Sequence, residues 1–168
     1  MFGAAGAPVN EPPVDLPMAQ GFVYLTAVID WASRRVLAQR VAITVEAEHA
    51  VAALEEAFAK YGLPEIVNTD QGSQFTSIDF TDAVRSRGIA LSMDSKGSWR
   101  NNVFIERLWR SVKYEEIYLK ACESVDYARK SIANYPTWYD QNRPHSSLSD
   151  RTPGEAYFAT LPAIKTAA

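Results

Sequence analysis

A chain of 168 residues, 47% hydrophobic and 22% charged, has the make-up of an ordinary globular protein and enough length for one domain with a sizeable core. No apolar run approaches the roughly 18 residues of a membrane span, the first residues lack the basic and apolar regions of a signal peptide, and the single cysteine, Cys122, excludes an internal disulfide and fits a reducing cytoplasm. A net charge of −3 runs against a dedicated DNA-binding domain, which is ordinarily basic, although the distribution of charge matters more than its sum.

Residues 1–17 read as an irregular, proline-rich N-terminus: Pro8, Pro12, Pro13 and Pro17 fall within ten residues and oppose both strand and helix. A core is expected over residues 18–160, with 161–168 as a tail. Residues 22–29 form a buried strand, 31–33 a short connection and 35–43 a second strand, which makes a hairpin. Thr44 can cap the next helix, in which Val51, Leu54, Phe58 and Tyr61 form one apolar stripe. Gly62 ends that helix and Pro64 follows it. Residues 65–69 are a short strand that delivers Asp70 to its C-terminal end. Ser77 caps a helix through about Arg87, closed by Gly88, and residues 89–93 are another short strand. Residues 94–99 read as a mobile loop. A long helix spans about 101–119, with Ile105, Leu108, Trp109 and Val112 on its apolar face. A second spans about 125–141, and Pro136 should kink or break it. Arg143-Pro144-His145 starts a turn, and Thr152-Pro153 a last short helix. Hairpin, helix, strand, helix, strand and then helices is an α/β order.

The chemistry centres on two acids. Asp70 ends a strand and is followed by the polar turn Gln71-Gly72-Ser73. Glu106 lies one turn into a helix, with thirty-five residues between the two. Phosphodiester chemistry suits metal ions held by carboxylates, and magnesium prefers hard oxygen ligands. A strand end and a facing helix can deliver both acids to one place. Arg110 and Lys113, at i+4 and i+7 from Glu106, share its helix face, so an acid that holds a metal is followed by two bases that can reach phosphates. By spacing alone a chance pair, and an ordinary Glu–Arg surface helix, stays open. His49 and His145 lie far apart and give no zinc spacing.

Three segments carry a family resemblance: residues 69–76 (TDQGSQFT), residues 104–115 (FIERLWRSVKYE), and residues 142–148 (NRPHSSL) with Arg151-Thr152-Pro153. Together with residues 17–25 (PMAQGFVYL) they resemble bacterial insertion-sequence transposases of the retroviral-integrase type, over about residues 16–160. The resemblance implies a ribonuclease H-like fold, the integrase catalytic core. That is a mixed sheet of order 3-2-1-4-5 flanked by helices, with an Asp-Asp-Glu triad at one edge. It implies Asp70 and Glu106 as the second and third catalytic and metal-binding acids, and Arg110 and Lys113 as bases on donor DNA. Gln71, Gly72 and Gln74 would shape the turn beside the metal. It further implies Mg2+ or Mn2+ as cofactor, transposon ends and target DNA as partners, oligomerisation with itself or an intact transposase, no membrane, and a cytoplasmic, nucleoid-associated location.

Departures from the family pattern lead to a further set of expectations. The first acid of that pattern falls on Pro12. Asp15 is three residues late, and an odd shift reverses the face of a strand; Asp30 reads as a turn former at the hairpin end. Prolines suit a central strand poorly, so the first central strand is expected to be missing or degraded and the chain N-terminally truncated. The two-ion site is then incomplete and the chain impaired in DNA cleavage and strand transfer. Two other readings stand beside this one: a non-catalytic binder of DNA ends that inhibits an intact transposase, and a ribonuclease H-type nuclease.

Overall fold

In a computed structural model of the chain, residues 8–10, 14–18, 21–44, 46–69, 72–93, 108, 110–112, 114–115 and 125–161 are described, with side chains from Tyr24 onward except at 125, 126, 128 and 129. Among the described residues six strands form one sheet: β1 (Pro8–Asn10), β2 (Val14–Met18), β3 (Gly21–Asp30), β4 (Val36–Ala42), β5 (Ile66–Thr69) and β6 (Ala90–Met93). Helix α1 (Ala47–Tyr61) follows β4 and α2 (Ile78–Arg85) follows β5, while α3 (Val125–Asn142) and α4 (Pro153–Thr160) close the chain.

The sheet is organised around β3. Its residues 24–29 pair antiparallel with β4 on one edge. On the other edge, residues 21–25 pair with β2 and residues 28–30 with β1. β1 in turn pairs in parallel with β5, and β5 with β6. Taken as one interrupted strand, β1 and β2 occupy the central slot, and the order is the expected 3-2-1-4-5. The register shows how: partner numbers sum to 38 along β1 (Val9 with Ile29) and to 39 along β2 (Val14 with Leu25). The registers of β1 and β2 on β3 thus differ by one residue.

This corrects one expectation: residues 1–17 are not irregular throughout, since β1 and part of β2 lie within them. The first central strand, expected to be missing or degraded, is present in two short pieces. The prolines are placed where a ladder tolerates them. Pro8 is the first residue of β1. Pro17 lies on β2, whose second edge carries no strand among the described residues. Pro12 and Pro13 fall in the interruption, outside the described residues.

Side-chain alternation along β3 sorts the core into two layers. Val28 packs with Ala38, the α1 residues Ala50, Ala53, Leu54, Ala57 and Phe58, and with Val67, Phe75, Phe80 and Val84. Leu25, Ala27 and Ile29 pack on the opposite face with Leu108, Val112, Ile132, Tyr135 and Tyr139. Helices thus cover both faces of a mixed sheet.

Local signals end most helices as read from the sequence. Gly62 closes α1 at a φ of 87°, its N–H donating to the Phe58 carbonyl. Ser77 caps α2, accepting from the Phe80 N–H, and Thr152 and Glu155 form a capping box on α4 with Pro153 behind the cap. Thr44 is not a cap: the N-cap of α1 is Glu46, without a side-chain bond. Pro136 does not break α3, which runs unbroken from Val125 to Asn142. The carbonyl that its missing N–H would leave open, that of Ile132, instead faces the Gln39 amide of β4. Gln39 Nε2 donates to Ile132 O at 3.4 Å and to Ala133 O at 3.0 Å.

Candidate active site

β5 is four residues long, and Val67, Asn68 and Thr69 are buried. Its last residue, Thr69, lies in register with Asn10 of β1, so the strand ends beside the central strand of the sheet. Val67 packs into the α1–α2 layer; alternation puts Asn68 on the opposite face, the one over which Leu108 and Val112 pack. The turn that follows is held by its own backbone and by Phe75. The N–H groups of Phe75 and Thr76 both donate to the Gly72 carbonyl, at 3.0 and 3.1 Å, and Ser77 Oγ donates to Gln74 O at 2.9 Å. Phe75 is fully buried edge-on against Phe80, with ring centroids 5.3 Å apart.

Two buried polar atoms at this turn lack hydrogen-bond partners: Thr69 Oγ1 and Gln74 Nε2. Native cores rarely leave such atoms unpaired, and they stand on either side of position 70 in the chain. Of the residues picked out by sequence, Arg110 is described. It is exposed on a helical segment whose Leu108, Ser111 and Val112 are buried. Asp70, Gln71, Glu106 and Lys113 lie outside the described residues, as does the expected loop at 94–99. Among the described residues no three His, Cys, Asp or Glu side chains converge on a point.

Asp15 belongs to β2 and is paired with Tyr24, an even-numbered position of β3. The odd-numbered ones, Leu25, Ala27 and Ile29, are those that pack with Leu108 and Val112. Position 15 is therefore out of phase with the face covered by the Ser111 segment. Asp30 does end the hairpin strand as a turn former: its Oδ2 accepts from the Ser33 N–H at 2.9 Å and from Ser33 Oγ at 2.5 Å.

A network that sequence reading did not single out ties the Ser111 segment to α3. Glu115 Oε1 accepts from Arg143 Nη1 at 2.5 Å and Glu115 Oε2 from the Tyr135 hydroxyl at 2.8 Å; Arg143 Nη1 also reaches Tyr135 Oη at 3.3 Å. Burial works to raise the Glu115 carboxyl, but the bonds from Arg143 and Tyr135, with the Arg143 charge, outweigh it and hold the group below the usual carboxylate range. Burial and then the carboxylate push the Tyr135 hydroxyl up to about 12. The available signal was that Glu115 and Arg143 both fall inside the motif segments quoted above.

A matching description joins sequence and fold. Models of the integrase core domain match residues 13–98 and residues 87–153. The chain belongs to the integrase core domain family. This integrase core is 31% identical over 143 residues to a transposase for the insertion sequence element IS904 of Lactococcus lactis, covering 82% of this chain and 56% of that one. It is 27% identical over 146 residues to a transposase for the element IS629 of Shigella sonnei, covering 84% and 49%. It therefore spans about half the length of these relatives. Its fold matches that of the HTLV-2 integrase catalytic core domain in complex with magnesium, with a TM-score of 0.72 at 18% identity over 92% of this chain and 99% of that one. The ribonuclease H-like class expected from the motifs is the class observed.

Proposed function

We propose that this integrase core serves DNA transposition, with Asp70 and Glu106 as the surviving acids of a divalent-metal site. The observation that supports it most is the placement of β5. Its last residue, Thr69, ends beside the central strand, Asp70 follows it, and Asn68, with the parity of Asp70, faces the layer of Leu108, two residues after Glu106. The donor chemistry fits magnesium or manganese, since carboxylates are hard oxygen ligands. Bound there, the metal would polarise a phosphodiester for cleavage and strand transfer. Arg110 and Lys113 hold phosphates of transposon-end DNA as point charges and donors.

The site is incomplete in this chain. Proline stands at the position of the first acid, Asp15 is out of phase, and two carboxylates hold a small divalent ion less well than three. Purified chain is expected to bind Mn2+ weakly and to leave terminal-repeat DNA uncut, and Asp70→Asn to abolish the Mn2+ binding without lowering the melting temperature. Robust cleavage by the chain would overturn the impairment; Mn2+ binding that survives Asp70→Asn would overturn the site.

A second reading is association with an intact transposase as an inhibitor, which the exposed Arg110 favours because it presents a cation to DNA ends. Adding the chain to an active relative should then lower transposition, and unchanged rates count against it.

A further inference from the structure

The Glu115–Tyr135–Arg143 network lies outside the acids and bases assigned above and has a geometry of its own. The three groups are close-packed around one carboxylate: both Glu115 oxygens are engaged, one by a guanidinium and one by a phenol, and the two donors also touch each other. Tyr135 is buried in the layer beneath β3 together with Leu108 and Val112, so its hydroxyl is carried by a rigid part of the core. Arg143 follows directly on the end of α3, where its N–H donates to the Tyr139 carbonyl at 3.2 Å. Apolar packing alone would let a helix rotate about its axis or slide along a groove. A carboxylate held from two directions does neither, because charge-assisted bonds demand fixed angles.

We propose that Glu115, Tyr135 and Arg143 form a positioning clamp that fixes the rotation of the Ser111 segment against α3, and through it the placement of Glu106. The consequence for Glu106 rests on the two-acid reading above; the clamp itself does not. Glu115 lies nine residues after Glu106 in the chain, near enough for the orientation of the Ser111 segment to bear on the acid. These are positioning residues. Outer partners that orient metal-binding side chains typically change metal affinity by about 10–100-fold when removed.

The test uses the full chain and two readouts: amide hydrogen exchange by mass spectrometry, and Mn2+ affinity by electron paramagnetic resonance. Glu115→Gln and Arg143→Met are expected to speed exchange at residues 108–115 by about tenfold while residues 153–160 stay unchanged, and to weaken Mn2+ binding by about tenfold. Arg143→Lys restores part of both, since both bonds come from the single nitrogen Nη1 and an ammonium on a shorter, flexible stem keeps the charge and can donate to the same oxygens. Unchanged exchange at 108–115 in both variants overturns the clamp. Faster exchange with unchanged Mn2+ affinity overturns its positioning role. Should Glu115→Gln loosen residues 153–160 as well, Tyr135→Phe decides, because it keeps the buried ring and removes only the hydroxyl with its bonds to Glu115 and Arg143: local loosening supports the clamp and no loosening overturns it. A native chain that binds no Mn2+ sinks the two-acid reading, and the exchange measurement still decides the clamp.

Discussion

Asp140 is a carboxylate buried at the end of α3, where Oδ1 accepts from the Val36 N–H at 3.2 Å and Oδ2 lies 3.7 Å from Arg35 Nε. Burial pushes it up to about 7, against the pull of the Val36 N–H and of Arg35. An unfolded chain ionises this group above about pH 4, while the folded chain keeps its proton until about pH 7. Between those values the folded state binds more protons, so this residue's contribution to stability falls as pH rises and levels off above them. Glu56, held low first of all by its bond from Lys60, and Glu115 act only on the acid side, where their stabilisation is lost as they take up protons. Asp140→Asn keeps an oxygen for the Val36 N–H and cannot ionise. Its melting temperature relative to the native chain is expected to rise between pH 5 and pH 8 by roughly 4 °C or more. A constant difference in thermal melts across that range contradicts the assignment. Sequence alone shows Asp140 as one acid among many; what makes it unusual is its burial, against β4 and beside Arg35, which meets it across 105 positions of chain and is itself stacked over the rings of Tyr157 and Phe158, each 4.7 Å away.

Elements were legible to the extent that their signals are local. Gly62, Ser77 and Thr152 act within one turn of the helix they end, and the apolar stripe of α1 needs no distant partner, so these survive unchanged in the structure. β1 was not legible, because local proline chemistry argues against a strand whose pairing comes from β3 and β5. Val9 is paired on both sides, with Ile29 and with Asn68. Val9→Pro removes a ladder donor there, at about 1–3 kcal/mol for the acceptor left unsatisfied, and urea melts should show at least that loss; an unchanged midpoint contradicts a paired β1. Pro136 was misread for the same reason, its remedy lying 93 and 94 residues away in Gln39. Gln39→Met is expected to cost about 1 kcal/mol in the native chain and less in a Pro136→Ala background, where the substituted residue again offers an N–H to the Ile132 carbonyl. Equal costs in the two backgrounds would show that Gln39 does not compensate the proline.

At the scale of the molecule, a mixed sheet with helices on both faces carries a short strand that ends where sequence places its acid. The fold class and the sheet order followed from motifs in the right order, and the integrase core family bears them out. The site was legible as residue types and less so as geometry. The partners of Glu115, Tyr135 and Arg143, lie 20 and 28 residues from it, one in α3 and one just past its end. With a net charge of −3, the proposed DNA binding would need a local concentration of basic residues or association with a more basic partner. The most direct test of the central claim is a crystal of the chain soaked in Mn2+ and located by anomalous scattering. The expected result is an ion bridging Asp70 and Glu106, with an oxygen of each about 2.1 Å from the metal. An ion elsewhere, or carboxylate oxygens much farther apart than the roughly 4 Å that a shared ion allows, would contradict it.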